Sequence, residues 1–240
     1  MPGPMPLPAL YQPAIAVPRM LPVLLLLAAM ALLQHGGDRW WADHLYAWQG
    51  GQWRYRDAWW TSQLLHQGGK WLSVAAGLGV AGAALLACCR PGLAHWRRPL
   101  AYLLLSVVLS TVLVSLAKSV SAVDCPWDLA RYGGQHPWLD LPRAWLARGP
   151  ASGCFPAGHA SAGYAWIALY FLAAARAPRW RWPALLLALA LGAAFGLAQQ
   201  LRGAHFASHD LASLALCWVC ARTLASWLLP SSTLALAVNA

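Results

Sequence analysis

The sequence predicts an all-α integral membrane protein of six transmembrane helices, with a polar site facing outward at the ends of spans three to six. Three observations predict it. Of the 240 residues 60% are hydrophobic and only 10% charged, well away from the composition of a soluble domain. Six apolar stretches approach the roughly 20 residues that a helix needs to cross the hydrocarbon core of a bilayer. Short connections rich in arginine alternate with long polar ones that hold the acids.

In chain order, the proline-rich start MPGPMPLPALYQP reads as a disordered or surface-lying lead-in over residues 1–14. The first span follows near 15–34. It lacks a strongly basic start and a small-residue cleavage site leading into a soluble domain, so it is expected to be retained and not removed as a signal peptide. Residues 35–70 form a first long outer loop, crowded with aromatic side chains in DRWWADHLYAWQGGQWRYRDAWW. Such a loop serves either as an aromatic belt at headgroup level or as a surface that grips sugar or lipid. Spans near 71–89 and 99–117 come next, then a second long polar connection at 118–157. The last three spans lie near 158–176, 183–201 and 208–229. There is no internal repeat, and the whole chain, 1–240, reads as one membrane domain.

The formal charge of +10 does not point to nucleic acid, because of where the charges sit. One short connection carries Arg90, Arg97 and Arg98, another carries Arg176, Arg179 and Arg181, and neither holds an acid. Basic short loops on one side mark the cytoplasmic face, which places both termini there and the long connections outside. All seven acids are aspartates, and all fall outside or at outer span ends. With the high Ala, Leu, Arg and Trp usage, this topology suggests a bacterial inner membrane with a periplasmic site.

That topology brings three separated stretches to one surface. The first, AKSVSAVDCPWDLARYGG, ends the third span at Lys118 and carries Asp124, Cys125, Pro126 and Arg131 beyond it. The second, CFPAGHASAG, places Pro156 and Gly158 in a tight turn just before His159 and the fourth span, leaving helix N–H groups free for an anion. The third, QQLRGAHFASHDLAS, holds Arg202, His205, His209 and Asp210, with Ser208 as the expected N-cap of the last span. Snorkelling at span ends accounts for lysines and arginines, but not for histidines beside Gly and Pro. Two imidazoles, a carboxylate and several cations are the parts of phosphoryl transfer: one ring attacks phosphorus, another protonates the leaving oxygen, and cations hold the non-bridging oxygens. The scheme requires neither metal nor cofactor.

Residues 99–225 resemble the phosphatidic acid phosphatase type 2 family, six-span membrane phosphatases with motifs Lys-x6-Arg-Pro, Pro-Ser-Gly-His and Ser-Arg-x5-His-x3-Asp. Here Lys118 and Pro126 match the first motif with Cys125 at the arginine position, and the second reads Pro156-Ala157-Gly158-His159. In the third, Ala198 and Gln199 replace Ser-Arg, His205 matches, and His209 takes the aspartate position with Asp210 one step later. The resemblance implies a lipid phosphatase in which His205 is the nucleophile, Asp210 its orienter and His159 the acid. Lys118, Arg202 and Gly158 would bind phosphate, with Arg131 as a further cation in place of the one missing at Cys125. It implies an amphiphilic phosphate or diphosphate as substrate: undecaprenyl diphosphate, phosphatidic acid, phosphatidylglycerol phosphate or lipid A 1-phosphate. Transfer of phosphate to another lipid, a metal hydrolase using His159, His205, His209 and Asp210, and an inactive lipid-binding or transport protein are the alternatives. The oligomeric state is not legible, nor is the choice of His209 or Asp210 as orienter. Of the six cysteines only Cys125 and Cys154 fall in the outer connection, and an oxidising compartment would join them. Two free thiols are the other possibility.

Overall fold

The computed structural model describes residues 21–140, 143 and 152–229. The lead-in and the start of the first expected span lie outside them. Among the described residues the fold is helical, with one isolated bridge between Leu129 and His136 as its strand-like pairing. Helix α1 (Leu21–Leu32) turns through a kink at His35 and Gly36 into α2 (Asp38–Trp48). Trp60–Gly68 winds with wide π-type turns straight into α3 (Gly69–Cys89). Then come α4 (Arg97–Ser119), α5 (Gly158–Tyr164), α6 (Ala168–Arg176), α7 (Arg181–Leu201) and α8 (Ala207–Leu228).

Among the described residues, four helical stretches are long and apolar enough to cross a membrane: Trp60–Cys89, Pro91–Ser119, Pro178–Leu201 and Ala207–Leu228. They cover the second, third, fifth and sixth expected spans. The fourth, near 158–176, is helical throughout, with a 3-10 turn at Ala165–Ile167 between Gly158–Tyr164 and Ala168–Arg176, but is not one of these four. Its composition explains the difference. Small residues and aromatics all round its surface suit the middle of a bundle, and Ala160, Ala165, Ile167 and Ala168 are indeed buried. The first Trp-rich connection is also not the loop expected: α2 and Trp60–Gly68 are both helical.

Without a hydrophobic drive between helices inside a bilayer, close packing and interhelical hydrogen bonds hold the bundle. At the crossing of α5 and α7, a Cβ on Gly163 would lie 2.3 Å from the backbone nitrogen of Gly192, so the two glycines set the distance between helices. The buried Tyr102 hydroxyl of α4 lies 3.2 Å from the Ala168 carbonyl and 3.1 Å from that of Ala221, tying α4 to α6 and α8. Trp166 Nε1 donates to Ser73 Oγ of α3 at 3.0 Å.

The two basic connections meet at one end of the bundle, where the Arg176 guanidinium donates to the His95 carbonyl and lies 5.5 Å from the centre of the Trp96 ring. Arg97 caps the last turn of α3 through the carbonyls of Ala87 and Cys88. Lys118 closes α4 at the opposite end.

At that opposite end α2 lies over the tips of α7 and α8. Trp41 Nε1 donates to Gln200 Oε1 at 2.7 Å, and Gln49 Nε2 to the Leu201 carbonyl at 3.0 Å. Ser208 is not the N-cap of α8, as the sequence had suggested; Phe206 holds that position. The cap comes from across the fold, with Asp38 Oδ1 accepting from Ser208 N at 3.0 Å and Oδ2 from its hydroxyl at 2.5 Å.

Candidate active site

The second long connection is fastened where it matters. Cys125 and Cys154 are joined by a disulfide with their Cα atoms 5.3 Å apart, inside the roughly 7 Å that a bridge allows. Trp127 N donates to the Gly203 carbonyl at 2.9 Å, linking the segment after Lys118 to the α7–α8 turn. Ala157 N donates to the His209 carbonyl at 3.1 Å, and Ser213 Oγ donates to the Ala157 carbonyl at 2.8 Å, seating the 154–157 turn on α8. Gly203 sits at φ +73, a region that favours glycine, and a Cβ there would meet the Trp53 ring at 2.5 Å.

Lys118, His159, Arg202 and His205 are thereby gathered at one end of the bundle. A Cβ on Gly158 would lie 3.6 Å from Lys118 Nζ, so the glycine leaves its backbone side by side with the ammonium. Lys118 and Arg202 are both within electrostatic reach of His159, and Lys118 and His159 of His205. Arg202 is held by Nε to the Arg56 carbonyl at 2.7 Å and by Nη1 to Gln199 Oε1 at 3.1 Å. Gln199 is itself buried, and its Nε2 has no partner.

His205 is buried, with Nδ1 unpartnered. Burial pushes its imidazole well below the usual range, and the nearby His209, Lys118 and His159 push the same way. The His209 ring stands 5.7 Å from that of His205 at 67°, and neither of its nitrogens is hydrogen-bonded, although the backbone of Cys154 approaches both rings.

Two expected site residues are placed elsewhere. Asp210 does not pair with His205: its Oδ2 accepts from Gln200 Nε2 at 2.5 Å, and the carboxylate rests against Gly196, where a Cβ would come within 2.1 Å of Oδ2. One step along a helix turns a side chain by about 100°, which sends Asp210 to α7 and His209 to the turn. Arg131 does not serve the cluster either. It forms a two-pronged pair with Asp43, 2.6 Å at each contact, and Tyr132 Oη donates to the same carboxylate. Those bonds hold the Asp43 carboxyl below its usual range.

Two residues absent from the sequence reading join the site. The His66 ring lies on that of His159 with centroids 3.7 Å apart, and Lys70 lines one groove with Lys118, Gly158 and His159. The available signal is their spacing of four on a helix running into a span, hidden by the polar and aromatic composition of residues 35–70. The groove has a volume of about 550 Å³. Its wall below the charged end is apolar, formed by Val74 and Leu78 of α3 and Leu104, Val107 and Val108 of α4. Among the described residues one group of metal-ligand types comes together, Cys125, Asp128 and Cys154, and its two sulfurs are bonded to each other.

Helices of membrane-crossing length, with imidazoles and cations collected at one end beside an apolar groove, define a membrane protein. A model of the PAP2 superfamily matches residues 99–232, more than half of the chain, and the chain belongs to that superfamily. Membership supports phosphatase activity. No curated protein and no solved structure matches the chain.

Proposed function

We propose that this chain is a membrane lipid phosphatase that removes phosphate from an amphiphile through a phosphohistidine intermediate. The observation that carries the reading is the groove between α3 and α4, apolar along its wall and ending at Lys70, Lys118 and His159. A phosphorylated lipid has that same division between tail and headgroup. The tail lies against Val74, Leu78 and Val108, and the phosphate reaches Lys118 and Gly158 beside it.

His205 is the nucleophile. Its burial keeps the ring neutral, and with Nδ1 sealed in protein, Nε2 is left to attack phosphorus. The P–N bond forms as the P–O bond to the lipid breaks, and His159 gives its proton to the departing oxygen. Water then attacks the phosphohistidine, giving its proton back to His159, and inorganic phosphate leaves. Lys118 and Arg202 hold the non-bridging oxygens as charge shifts in the transition state. His209, whose ring faces His205, takes the orienting place expected of Asp210. The basic connections lie at the far end of the bundle, and by the positive-inside rule the site faces the periplasm of a bacterial inner membrane.

The test is phosphate release in detergent from the four lipids named above, with His205→Ala as control. Release by the wild type and none by His205→Ala is expected. Equal release by both removes His205 as nucleophile, and no release from any lipid removes the phosphatase reading.

A further inference from the structure

The charged end of the groove holds more positive charge than one phosphate needs. Lys118, Lys70 and Arg202 all lie within electrostatic reach of both His66 and His159. Among the described residues the ion pairs are Arg131–Asp43, His136–Asp124 and Arg143–Asp140, so none of the three cations is neutralised by a contact. Asp57 acts on Arg202 from a distance, and Arg56 offsets it. That leaves Lys70 and Lys118 lining the charged end of the groove, and Arg202 near it, without an ion-pair partner among the described residues. A phosphate monoester brings about −1.5 to −2 at neutral pH. Lys118 and Arg202 already match it.

The surplus belongs to one helix. His66 and Lys70 are four residues apart on Trp60–Cys89 and so share a face, and the His66 ring lies on that of His159. Both lie outside the stretch 99–232 that matches the family model. Lys70 is exposed beside the groove and His66 half-buried against the His159 ring.

We propose that His66 and Lys70 form a second anion subsite beside the reacting phosphoryl group, fitted to the non-reacting phosphate of a lipid diphosphate. The proposal rests on the phosphatase reading for the position of the reacting phosphate. The outer phosphoryl group is the one transferred to His205, and the phosphate still attached to the lipid lies in the His66–Lys70 subsite and leaves as a lipid monophosphate. Its departing oxygen is then the bridging oxygen, next to His159, which protonates it. Lys70 stabilises the charge left on that phosphate.

The experiment measures binding to the purified full chain in detergent of two non-hydrolysable probes with the same prenyl tail, a methylenebisphosphonate and a simple phosphonate. The bisphosphonate is expected to bind at least about tenfold more tightly, the scale of one added hydrogen bond to a charged group. Lys70→Met, which keeps the apolar stem, and His66→Gln should each erase most of that ratio. Equal affinity for the two probes, or a ratio unchanged in both variants, overturns the subsite. Phosphate release from the matching prenyl diphosphate and monophosphate is measured alongside. A bisphosphonate preference without release from either substrate overturns the phosphatase reading and keeps the subsite. Release without the preference does the reverse.

Discussion

The ring of His209 faces that of His205 edge-on at 5.7 Å, while the neighbouring Asp210 turns away to Gln200. Both rings are buried, and His205 Nδ1 and both nitrogens of His209 lack partners. A small closing movement would let His205 Nδ1–H donate to His209, leaving Nε2 as the nucleophile. His209→Phe, which keeps a ring of similar bulk, is expected to lower kcat by about 10²-fold or more with KM little changed. His209→Asp should retain much of the activity. Asp210→Asn keeps an acceptor for Gln200 and should alter kcat less than His209→Phe does. Steady-state kinetics of the three variants decide between the neighbours, and a larger kcat loss in Asp210→Asn would return the orienting role to the aspartate.

The cations separate in the same way. Arg202→Ala should cost about 2–4 kcal/mol of transition-state stabilisation, and Lys118→Ala a similar amount, read as kcat/KM. Arginine introduced at Gln199, whose side chain now holds Arg202, should partly rescue Arg202→Ala. Arg131→Ala should leave kcat near wild type, because its guanidinium is engaged with Asp43 at the surface. A large kcat loss in Arg131→Ala would bring that residue back to the substrate.

The bridge between Cys125 and Cys154 spans 29 residues and joins the segment after Lys118 to the turn before His159. On the chain-entropy model a loop of that length contributes about 3–4 kcal/mol. The Cys125→Ser/Cys154→Ser double variant is expected to inactivate at lower temperature than wild type, and a reductant should lower the wild type to the same point. Matching inactivation curves for oxidised and reduced protein would show that the bridge contributes nothing.

Buried and neutral, His205 has a folded-state pKa below its unfolded value of about 6.5. The unfolded chain therefore binds more protons below that pH, so this residue leaves stability untouched above about 6.5 and lowers it as the medium becomes more acid. For catalysis the sign is the same: the nucleophile stays unprotonated, and the acid limb of kcat/KM should fall below about pH 6.5. An acid limb centred above that value would contradict a buried neutral nucleophile.

Packing at the helix crossing gives a test independent of chemistry. Gly163→Ala would drive a methyl to 2.3 Å from the Gly192 backbone, with no flexible side chain to yield. Backbone collisions of this kind cost about 1–3 kcal/mol or more. Thermal inactivation should shift down in Gly163→Ala and hardly at all in Gly79→Ala, where the added carbon meets nothing within 4 Å.

The sequence by itself determined the helical membrane class, because long apolar runs with one-sided arginine allow little else, and it located Lys118, His159 and His205 through local motifs at span ends. It also marked Cys125 and Cys154 as the pair to examine. The tertiary structure decided what depends on direction across the bundle. That Asp210 rests on Gly196 while the ring of His209 faces His205 follows from one residue's rotation about α8, and no spacing rule resolves which neighbour faces a given turn. Asp43 claims Arg131 from 88 positions away, and Asp38 caps α8 from 170 positions away, contacts that only folding creates. His66 and Lys70 reach the site because a stretch rich in Trp, Gln and Gly continued the following span as helix. Its own propensity was too mixed to announce that, and packing against α7 made up the difference.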